Sequence, residues 1–184
     1  MLRLVYAVVL GILGAGIVHI ATLFLLPELS QRDAWTRLES MSPLYQPVRL
    51  DPDRAGFMPL QPADPLLLSA ACRFDLSDGA LSVVADGTVP FWSLSIYDRN
   101  GQNIYSVTDR INSDRVLDLF VLSPAQRVAM RDDLPEGTEG SIFVETDTRQ
   151  GMVVVRSFVP DPSWRPVVSR FLNALSCRPI ETTS

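Results

Sequence analysis

The sequence predicts an α+β protein, with one N-terminal transmembrane helix followed by an antiparallel β-sheet or sandwich domain that carries two or three helices. Two observations predict this class. No charged residue occurs from Leu4 to Leu26, whereas later segments alternate apolar and polar residues over short, closely spaced stretches. These features divide the chain into an anchor (1–27), a short helix with a proline-rich connecting arm (28–65), an antiparallel α+β domain (66–179) and a tail (180–184).

The uncharged run from Leu4 to Leu26 is long enough to cross a membrane. Its 23 residues would form a helix of roughly 35 Å, against a hydrocarbon core of about 30 Å. The alternative is a cleaved signal peptide, because the small residues Gly14 to Gly16 offer a cleavage site. The apolar run continues beyond this point, which favours a retained anchor. The arginines on either side of the run do not decide its orientation.

The only histidine of the chain, His19, lies inside this run. On a helical wheel it borders a face of small residues that includes Gly11, Ala15 and Thr22. Such a face lets a second helix approach closely, and an imidazole at its margin can hydrogen-bond across the contact. We therefore expect a helix–helix interface with a second membrane-anchored protein or with another copy of the chain. A histidine that bonds to its own backbone or to water, and a proton relay, are the alternatives.

The segment after Pro27 is predicted to begin with a short helix, residues 29–41, with Ser30 as its N-cap and Asp33 three residues later. A proline-rich stretch follows, in which the prolines remove backbone donors and oppose regular secondary structure. These prolines are Pro43, Pro47, Pro52, Pro59, Pro62 and Pro65. We expect this stretch to be an arm that lies along the domain.

Seven segments then carry strand signals, and the short spacings between them favour antiparallel pairing. They are SAACRFDL, ALSVVAD, PFWSLSIYD, QNIYSVTD, VLDLFVL, SIFVETD and GMVVVRSFV. Two helices accompany them. The first, SPAQRVAMRDDL, begins with Ser123 as N-cap and carries Gln126 at the third position. The second, DPSWRPVVSRFLNALSC, begins with Asp161 and Pro162.

The strongest local signal is the hairpin in FWSLSIYDRNGQNIYSVTD. Asn100-Gly101 is a preferred pair for a two-residue type I′ turn, which would place Tyr97 opposite Ile104. One face of the hairpin is then apolar and the other is rich in hydroxyl groups. On or beside the second face lie the candidate binding residues, Ser95, Tyr97, Asp98 and Ser106. The alternative is a solvated or partly covered sheet face without a ligand.

The two cysteines are both predicted to face apolar surroundings. Cys72 alternates with polar residues in AACRFDL, and Cys177 closes the C-terminal helical pattern. A disulfide between Cys72 and Cys177 would close a loop of about 105 residues. Two buried free thiols are the alternative. Oxidation would require an exported domain, because disulfides persist in oxidising compartments.

Composition and residue types disfavour several classes of function. The net charge of −5 and the absence of a basic stripe argue against nucleic-acid binding. Beyond the anchor there is no histidine to activate a serine or cysteine nucleophile, and the residues that prefer zinc are too sparse. Glu145 and Asp147 share a strand face, but their position beside a turn indicates solvated charges. The sequence therefore predicts no catalytic residue, no metal and no cofactor.

The hairpin PFWSLSIYDRNGQNIYSVTDR, the strand CRFDLSDG and the anchor motif GAGIVHI together resemble the bacterial family called domain of unknown function 1254, in its short membrane-anchored form. The resemblance covers the anchor and most of Leu66–Pro179. Its signature positions here are Trp92, Tyr97, Asp98, Gly101, Tyr105, Asp109 and Arg110. Members of that family often accompany a domain of unknown function 1214, fused or as a neighbouring protein. The resemblance thus implies a partner chain, and it implies no catalytic residues.

These observations predict a single-pass protein of the inner membrane whose C-terminal domain faces the periplasm. We expect the domain to act as a binding or assembly module with a partner. The alternative is an envelope enzyme that uses carboxylate or tyrosine chemistry and is completed by residues of the partner.

Overall fold

The computed structural model describes residues 1–50, 64, 66–111, 116–132, 138 and 140–180, apart from the side chains of residues 26–33 and 132. It confirms the predicted α+β class. Its elements are, in chain order, helix α1 (Leu2–Met41), strands β1 (Val48–Arg49), β2 (Leu67–Asp75), β3 (Ala80–Ala85), β4 (Trp92–Asp98), β5 (Asn103–Thr108) and β6 (Leu117–Leu122), helix α2 (Pro124–Asp132), strands β7 (Ile142–Glu145) and β8 (Gln150–Phe158), a 3₁₀ turn (Pro162–Trp164), helix α3 (Arg165–Asn173) and strand β9 (Ser176–Ile180).

The strands form two sheets that pack as a sandwich. Sheet A has the order β1-β2-β8-β4-β5 and sheet B the order β7-β6-β3-β9. Only β6 and β7 pair in parallel among the described strands. The main core contains alternate residues of both sheets, such as Phe74, Trp92 and Leu119, each at most 1% exposed. Val168 and Phe171 of α3 enter the same core, so this helix closes one side of it.

Helix α1 is longer than the sequence predicted. It runs without interruption from Leu2 to Met41, so Pro27 does not end it and Ser30 lies within the helix instead of capping a second one. A proline removes one hydrogen-bond donor but keeps a helical φ. The last two turns are held by tertiary contacts, because Ala34, Leu38 and Met41 pack against the outer face of sheet A. Of the proline-rich arm, residues 51–63 and 65 lie outside the described part of the chain.

The C-terminal helix is shorter than predicted, and a strand follows it. Helix α3 ends at Asn173, and Cys177 lies in β9, which pairs antiparallel with β3 through Ile180. Residue 180 therefore belongs to the domain and not to a tail, while residues 181–184 lie outside the described part. The helical pattern of the sequence could not include this strand, because its hydrogen bonds come from a partner almost a hundred residues away.

The caps predicted at Ser123 and Asp161 are confirmed, unlike the one at Ser30. At the start of α2 the Ser123 amide donates to Gln126 Oε1 at 2.8 Å, and the Gln126 amide donates to Ser123 Oγ at 3.2 Å. This reciprocal pair is a capping box. At the 3₁₀ turn the Asp161 carboxylate accepts from the Ser163 amide at 2.8 Å. Local side-chain chemistry thus sets where both segments begin.

The β4–β5 turn differs from the predicted type I′ turn. The Gly101 amide donates to the Asp98 carbonyl at 3.0 Å, and only Gly101 has a positive φ, of 81°. This is a three-residue loop in which a type I turn is followed by a left-handed glycine. The Asp98 carboxylate favours it by accepting from the Gln102 amide at 2.7 Å. Asn100 therefore avoids the strained left-handed region that a type I′ turn would require.

The longer loop also changes the register at the end of the hairpin. Ser95 pairs with Ser106 as predicted, but a bulge after Ile96 pairs Tyr97 with Asn103 instead of Ile104. Ile104 is the extra residue of β5 and packs against the main core, not on the polar face. The correction removes one apolar side chain from that face.

Replacing Gly101 by Val should destabilise the domain by about 1–3 kcal/mol, because a β-branched residue is strained at positive φ. Gly101→Asn is the matched control, since asparagine tolerates the left-handed region best after glycine. Equilibrium unfolding in urea measures both variants. Equal midpoints for the valine variant and the unaltered chain would mean that the turn does not need a left-handed residue.

Cys72 of β2 and Cys177 of β9 form a disulfide. The two side chains are 1% and 4% exposed, so the bond lies within the main core. It joins sheet A to sheet B and ties the last described strand to the first long strand of the domain.

Candidate functional site

The outer face of sheet A is divided into a covered and an uncovered half. The end of α1 packs over Val48, Ala71, Met152 and Val154 of strands β1, β2 and β8. The other half, over β4 and β5, carries polar side chains. We call this half the open face, and it consists of Ser93, Ser95, Tyr97, Asn103, Ser106, Thr108 and Arg156.

Two serines form the centre of the open face. They are a directly opposed pair on β4 and β5, and Ser106 Oγ donates to Ser95 Oγ at 3.0 Å. Asn103 Nδ2 donates to Ser106 Oγ at 2.9 Å. Ser95 is only 7% exposed, whereas Ser106 and Asn103 are exposed. The two serines and Asn103 thus offer hydroxyl and amide groups to a ligand.

Tyr97 and Arg156 lie at the boundary between the open face and the covered half. Arg156 Nη2 donates to Tyr97 Oη at 3.5 Å. Burial raises the pKa of Tyr97, but the hydrogen bond and positive charge of Arg156, together with bonds from Ser95 and Asn103, lower the pKa below its usual value. A phenol beside a guanidinium group can accept or donate a hydrogen bond to a ligand and, with a lowered pKa, can release its proton more readily.

Asp98 does not join these residues. It follows Tyr97 on β4, so its side chain leaves the strand on the opposite side. Its carboxylate accepts from the Gln102 amide at 2.7 Å and from Asn100 Nδ2 at 3.4 Å. The structure therefore brings Ser95, Tyr97 and Ser106 together and uses Asp98 to shape the turn.

The four residues of the expected helix–helix interface all lie in the apolar part of α1. Gly11, Ala15, His19 and Thr22 are exposed, and a Cβ added to Gly11 would meet no heavy atom within 4 Å. The Thr22 hydroxyl donates to the Val18 carbonyl at 2.6 Å. Within the described residues, Leu2–Leu25 is the one segment long and apolar enough to cross a membrane, with a mean hydropathy of 2.4.

A stacked group of side chains, which the sequence reasoning missed, fixes α1 to the domain. Trp35 is 5% exposed, and two guanidinium groups lie over its ring, with Arg73 at 5.0 Å and Arg99 at 5.7 Å from the ring centroid. Arg73 also donates to the Ser42 carbonyl at 3.0 Å and pairs with Glu39 at 3.4 Å. The only available signal was a tryptophan in the short segment 29–41.

A buried carboxylate, Asp75, forms hydrogen bonds where β2 ends and β8 begins in sheet A. Asp75 accepts from Ser77, from Gln150 Nε2 at 2.7 Å and from Arg149 Nε at 3.4 Å. Burial raises the pKa of Asp75, but these hydrogen bonds outweigh it and lower the pKa to about 2. Arg99 donates to Gln150 at 3.0 Å, so the network continues to the Trp35 stack. These groups bond to one another and have a structural role.

Acid should destabilise the domain partly through Asp75. Its folded-state pKa is about 2 against a usual 3.8, so its contribution is full above pH 4 and is lost as the pH falls toward 2. The free energy of unfolding should therefore fall by on the order of 1–2 kcal/mol more in the unaltered chain than in Asp75→Asn between pH 5 and pH 2. Unfolding curves at both pH values test this, and parallel losses in the two proteins would contradict it.

Most of the signature positions build the hairpin and the core. Trp92 is 1% exposed in the main core, and its carbonyl accepts from the Asp109 amide at 3.0 Å, which closes the hairpin. Asp109 is 3% exposed, and Tyr105 packs against the core. Arg110 is exposed. Among these positions only Tyr97 reaches the open face. Within the described residues no three His, Cys, Asp or Glu side chains are grouped as metal ligands.

The fold is similar to that of a bacterial protein of known crystal structure. The VPA0106 protein from Vibrio parahaemolyticus matches with a TM-score of 0.53 and 13% identity over 84% of this chain and 39% of that one. An uncharacterised protein from Burkholderia cenocepacia matches with a TM-score of 0.49 and 12% identity over 85% of this chain and 42% of that one. The chain thus spans about two fifths of each relative. No curated protein matches. The model of the family described as "Protein of unknown function (DUF1254)" matches residues 58–179, and the chain belongs to this family.

Proposed function

We propose that the chain is a single-pass protein of the bacterial inner membrane whose sandwich domain binds or assembles with a partner in the periplasm. The division of the outer face of sheet A carries this proposal. One half is covered by the helix that continues from the apolar segment, and the other half is the open face. A polar surface beside a membrane-anchored helix suits recognition of a second protein at the membrane.

The disulfide supports a location outside the cytoplasm. Cys72 and Cys177 are joined in the core, and such bonds persist in oxidising compartments such as the periplasm. The apolar segment of α1 supports retention as a signal anchor. A reporter that is active only outside the cytoplasm, fused to the C-terminus, should therefore be active. Activity of a cytoplasm-only reporter would contradict this orientation, and a mature protein beginning near Ile17 would contradict the anchor.

The partner is proposed to be a second envelope protein, with a protein of the family called domain of unknown function 1214 as the first candidate. Capture of partners from detergent-solubilised membranes with a tagged chain tests this. Ser93→Arg and Arg156→Ala alter the open face and should each reduce recovery about fivefold or more. Ser82→Arg is the matched control, because Ser82 has similar partial exposure on the outer face of sheet B. Equal recovery with all variants would exclude the open face.

The anchor is proposed to contribute a helix–helix contact to the same complex. Gly11→Leu should block close approach and cause the largest loss of association. His19→Leu should remove one hydrogen bond, worth about 0.6 kcal/mol and at most about 2 kcal/mol. Leu13→Ala, on the opposite side of the helix, should have the smallest effect. Co-purification ranks the three variants, and equal recovery with all of them would leave the helix as a plain anchor.

The second candidate function is an envelope enzyme completed by its partner. It is favoured by the Tyr97 hydroxyl, whose pKa is lowered beside Arg156. Tyr97→Phe would keep the packing and remove the reactive group. Under the binding proposal any loss of function in this variant should follow from reduced recovery of the partner. Loss of function in an intact complex would favour the enzyme instead.

A further inference from the structure

The four edge strands of the two sheets differ in how well they resist pairing with another strand. Natural sheets protect their edges with short strands, proline, charge or covering segments. Strand β1 has two residues and β7 has four, and β9 carries Arg178 and Pro179. Strand β5 has six residues, NIYSVT, with neither a proline nor a charge, and its bulge at Ile104 leaves residues 105–108 as a regular stretch. It is therefore the least protected edge among the described strands.

The hairpin register shows which backbone groups of β5 point outward. The Asp109 amide donates to the Trp92 carbonyl, and Cα pairing places Val107 opposite Leu94. Because hydrogen-bonded and non-bonded pairs alternate in an antiparallel ladder, Val107 bonds to β4 while Ser106 and Thr108 direct their amides away from it. The Thr108 carbonyl accepts from the Ile111 amide at 3.1 Å. No described residue accepts from the two outward amides.

We propose that β5 is the site at which an extended segment of a partner protein joins sheet A as an additional strand. Strand addition satisfies backbone donors and acceptors that a sheet edge leaves unpaired. Side chains of the guest strand would alternate between the open face, beside Ser106 and Thr108, and the inner face, beside Tyr105 and Val107. The site therefore suits an uncharged segment that alternates polar and apolar residues and contains no proline.

The anchor disfavours pairing of β5 with β5 of a second copy. Two identical antiparallel strands are related by a two-fold axis perpendicular to the sheet. Helix α1 lies along sheet A, because Ala34, Leu38 and Met41 contact it over about two turns. The axis would therefore turn the apolar segments of the two copies in opposite directions. One membrane could not hold both of them, so the guest strand should come from another protein.

This inference deepens the proposed function, because it names the backbone edge through which the partner would attach. It differs from a contact made only by the side chains of the open face. Substitutions at Ser106 can distinguish these two modes of binding, because its hydroxyl lies on the open face and its backbone amide lies on the edge.

A strand-forming peptide tests the edge without knowledge of the natural partner. Residue-resolved amide exchange is measured on the full chain in detergent micelles with the acetylated, amidated peptide TVTVTVT. The Ser106 and Thr108 amides should exchange rapidly in the chain alone and about tenfold more slowly with saturating peptide. The matched control is TVTPTVT, whose proline interrupts the hydrogen-bond ladder and should give no protection. The proposal would be overturned if these two amides exchanged slowly in the chain alone, or if TVTVTVT did not slow their exchange.

Two variants connect this result with the captured partner. Ser106→Pro removes an outward amide and should leave the β4–β5 ladder intact, whereas Ser106→Ala removes only the hydroxyl. Peptide protection at Thr108 should be lost in the first and kept in the second, and recovery of the partner should fall much further in the first than in the second. Recovery that survives Ser106→Pro would overturn the edge and leave the proposed function. Protection by the peptide when no partner is captured would support the edge and count against that function.

Discussion

Removing the Cys72–Cys177 disulfide should lower the free energy of unfolding by about 4–5 kcal/mol. The bond spans 105 residues, and in the chain-entropy account a loop of this length restricts the unfolded chain by about that amount at 25 °C. The two half-cystines are also buried in the main core, so alanine at both positions leaves a small cavity. The expected loss is a large part of the total stability of a domain of this size.

The double variant Cys72→Ala/Cys177→Ala is compared with the oxidised chain by urea unfolding in micelles, monitored through tryptophan fluorescence. Each single variant should lose about as much stability as the double variant, because either one removes the cross-link. A loss below about 1 kcal/mol for the double variant would show that the cross-link contributes little. The same measurement on the reduced, unaltered chain separates the cross-link from the cavity.

Gly151→Ala should destabilise the domain by about 3 kcal/mol, the upper end of the usual range for an overpacked core. A Cβ at this position would lie 2.5 Å from the Tyr97 carbonyl oxygen and 2.6 Å from Cζ of Phe74. Phe74 is fully buried, and the Tyr97 carbonyl is backbone, so neither can move aside freely. The penalty arises from contact alone, because Gly151 is not in the left-handed region.

Unfolding midpoints test this expectation, with Gly14→Ala as the control. Gly14 lies in α1, and a Cβ there would meet no heavy atom within 4 Å, so the sandwich should keep its midpoint. Phe74→Leu removes the ring that the new methyl group would meet. Adding Gly151→Ala to Phe74→Leu should therefore cost less stability than adding it to the unaltered chain. A stable Gly151→Ala protein would mean that β2, β8 and β4 can separate at this point without cost.

Prediction from the sequence was most successful where a short stretch carries its own signal. Ser123 and Gln126 form the capping box that their spacing indicates, and all seven predicted strands are present with bounds shifted by a few residues. It was wrong for the β4–β5 turn, where Asn100-Gly101 suits two turn types. The Asp98 carboxylate and the bulge at Ile104 decided between them.

The candidate site shows the same division between local and long-range information. Alternation along β4 and β5 placed Ser95, Tyr97 and Ser106 on one face. It could not show that Arg156, 59 residues after Tyr97, borders that face and lowers the pKa of Tyr97. Nor could it show that α1 covers the adjoining half of the sheet. Both depend on the order β2-β8-β4, which brings together strands that are distant in the chain.

By itself the sequence determined the apolar helix, the places of seven strands, the caps at Ser123 and Asp161 and the family resemblance, because periodicity and capping act over a few neighbouring residues. Only the tertiary structure decided that Leu2–Met41 is one helix, that Cys177 lies in a strand and that Gly151 must remain glycine. In each of these cases the deciding contact joins segments far apart in the chain. Three contacts outweigh local preference: α1 packs on sheet A, β9 pairs with β3, and the Phe74 ring fills the space beside Gly151. In a close-packed core, one such contact cannot change without disturbing its neighbours.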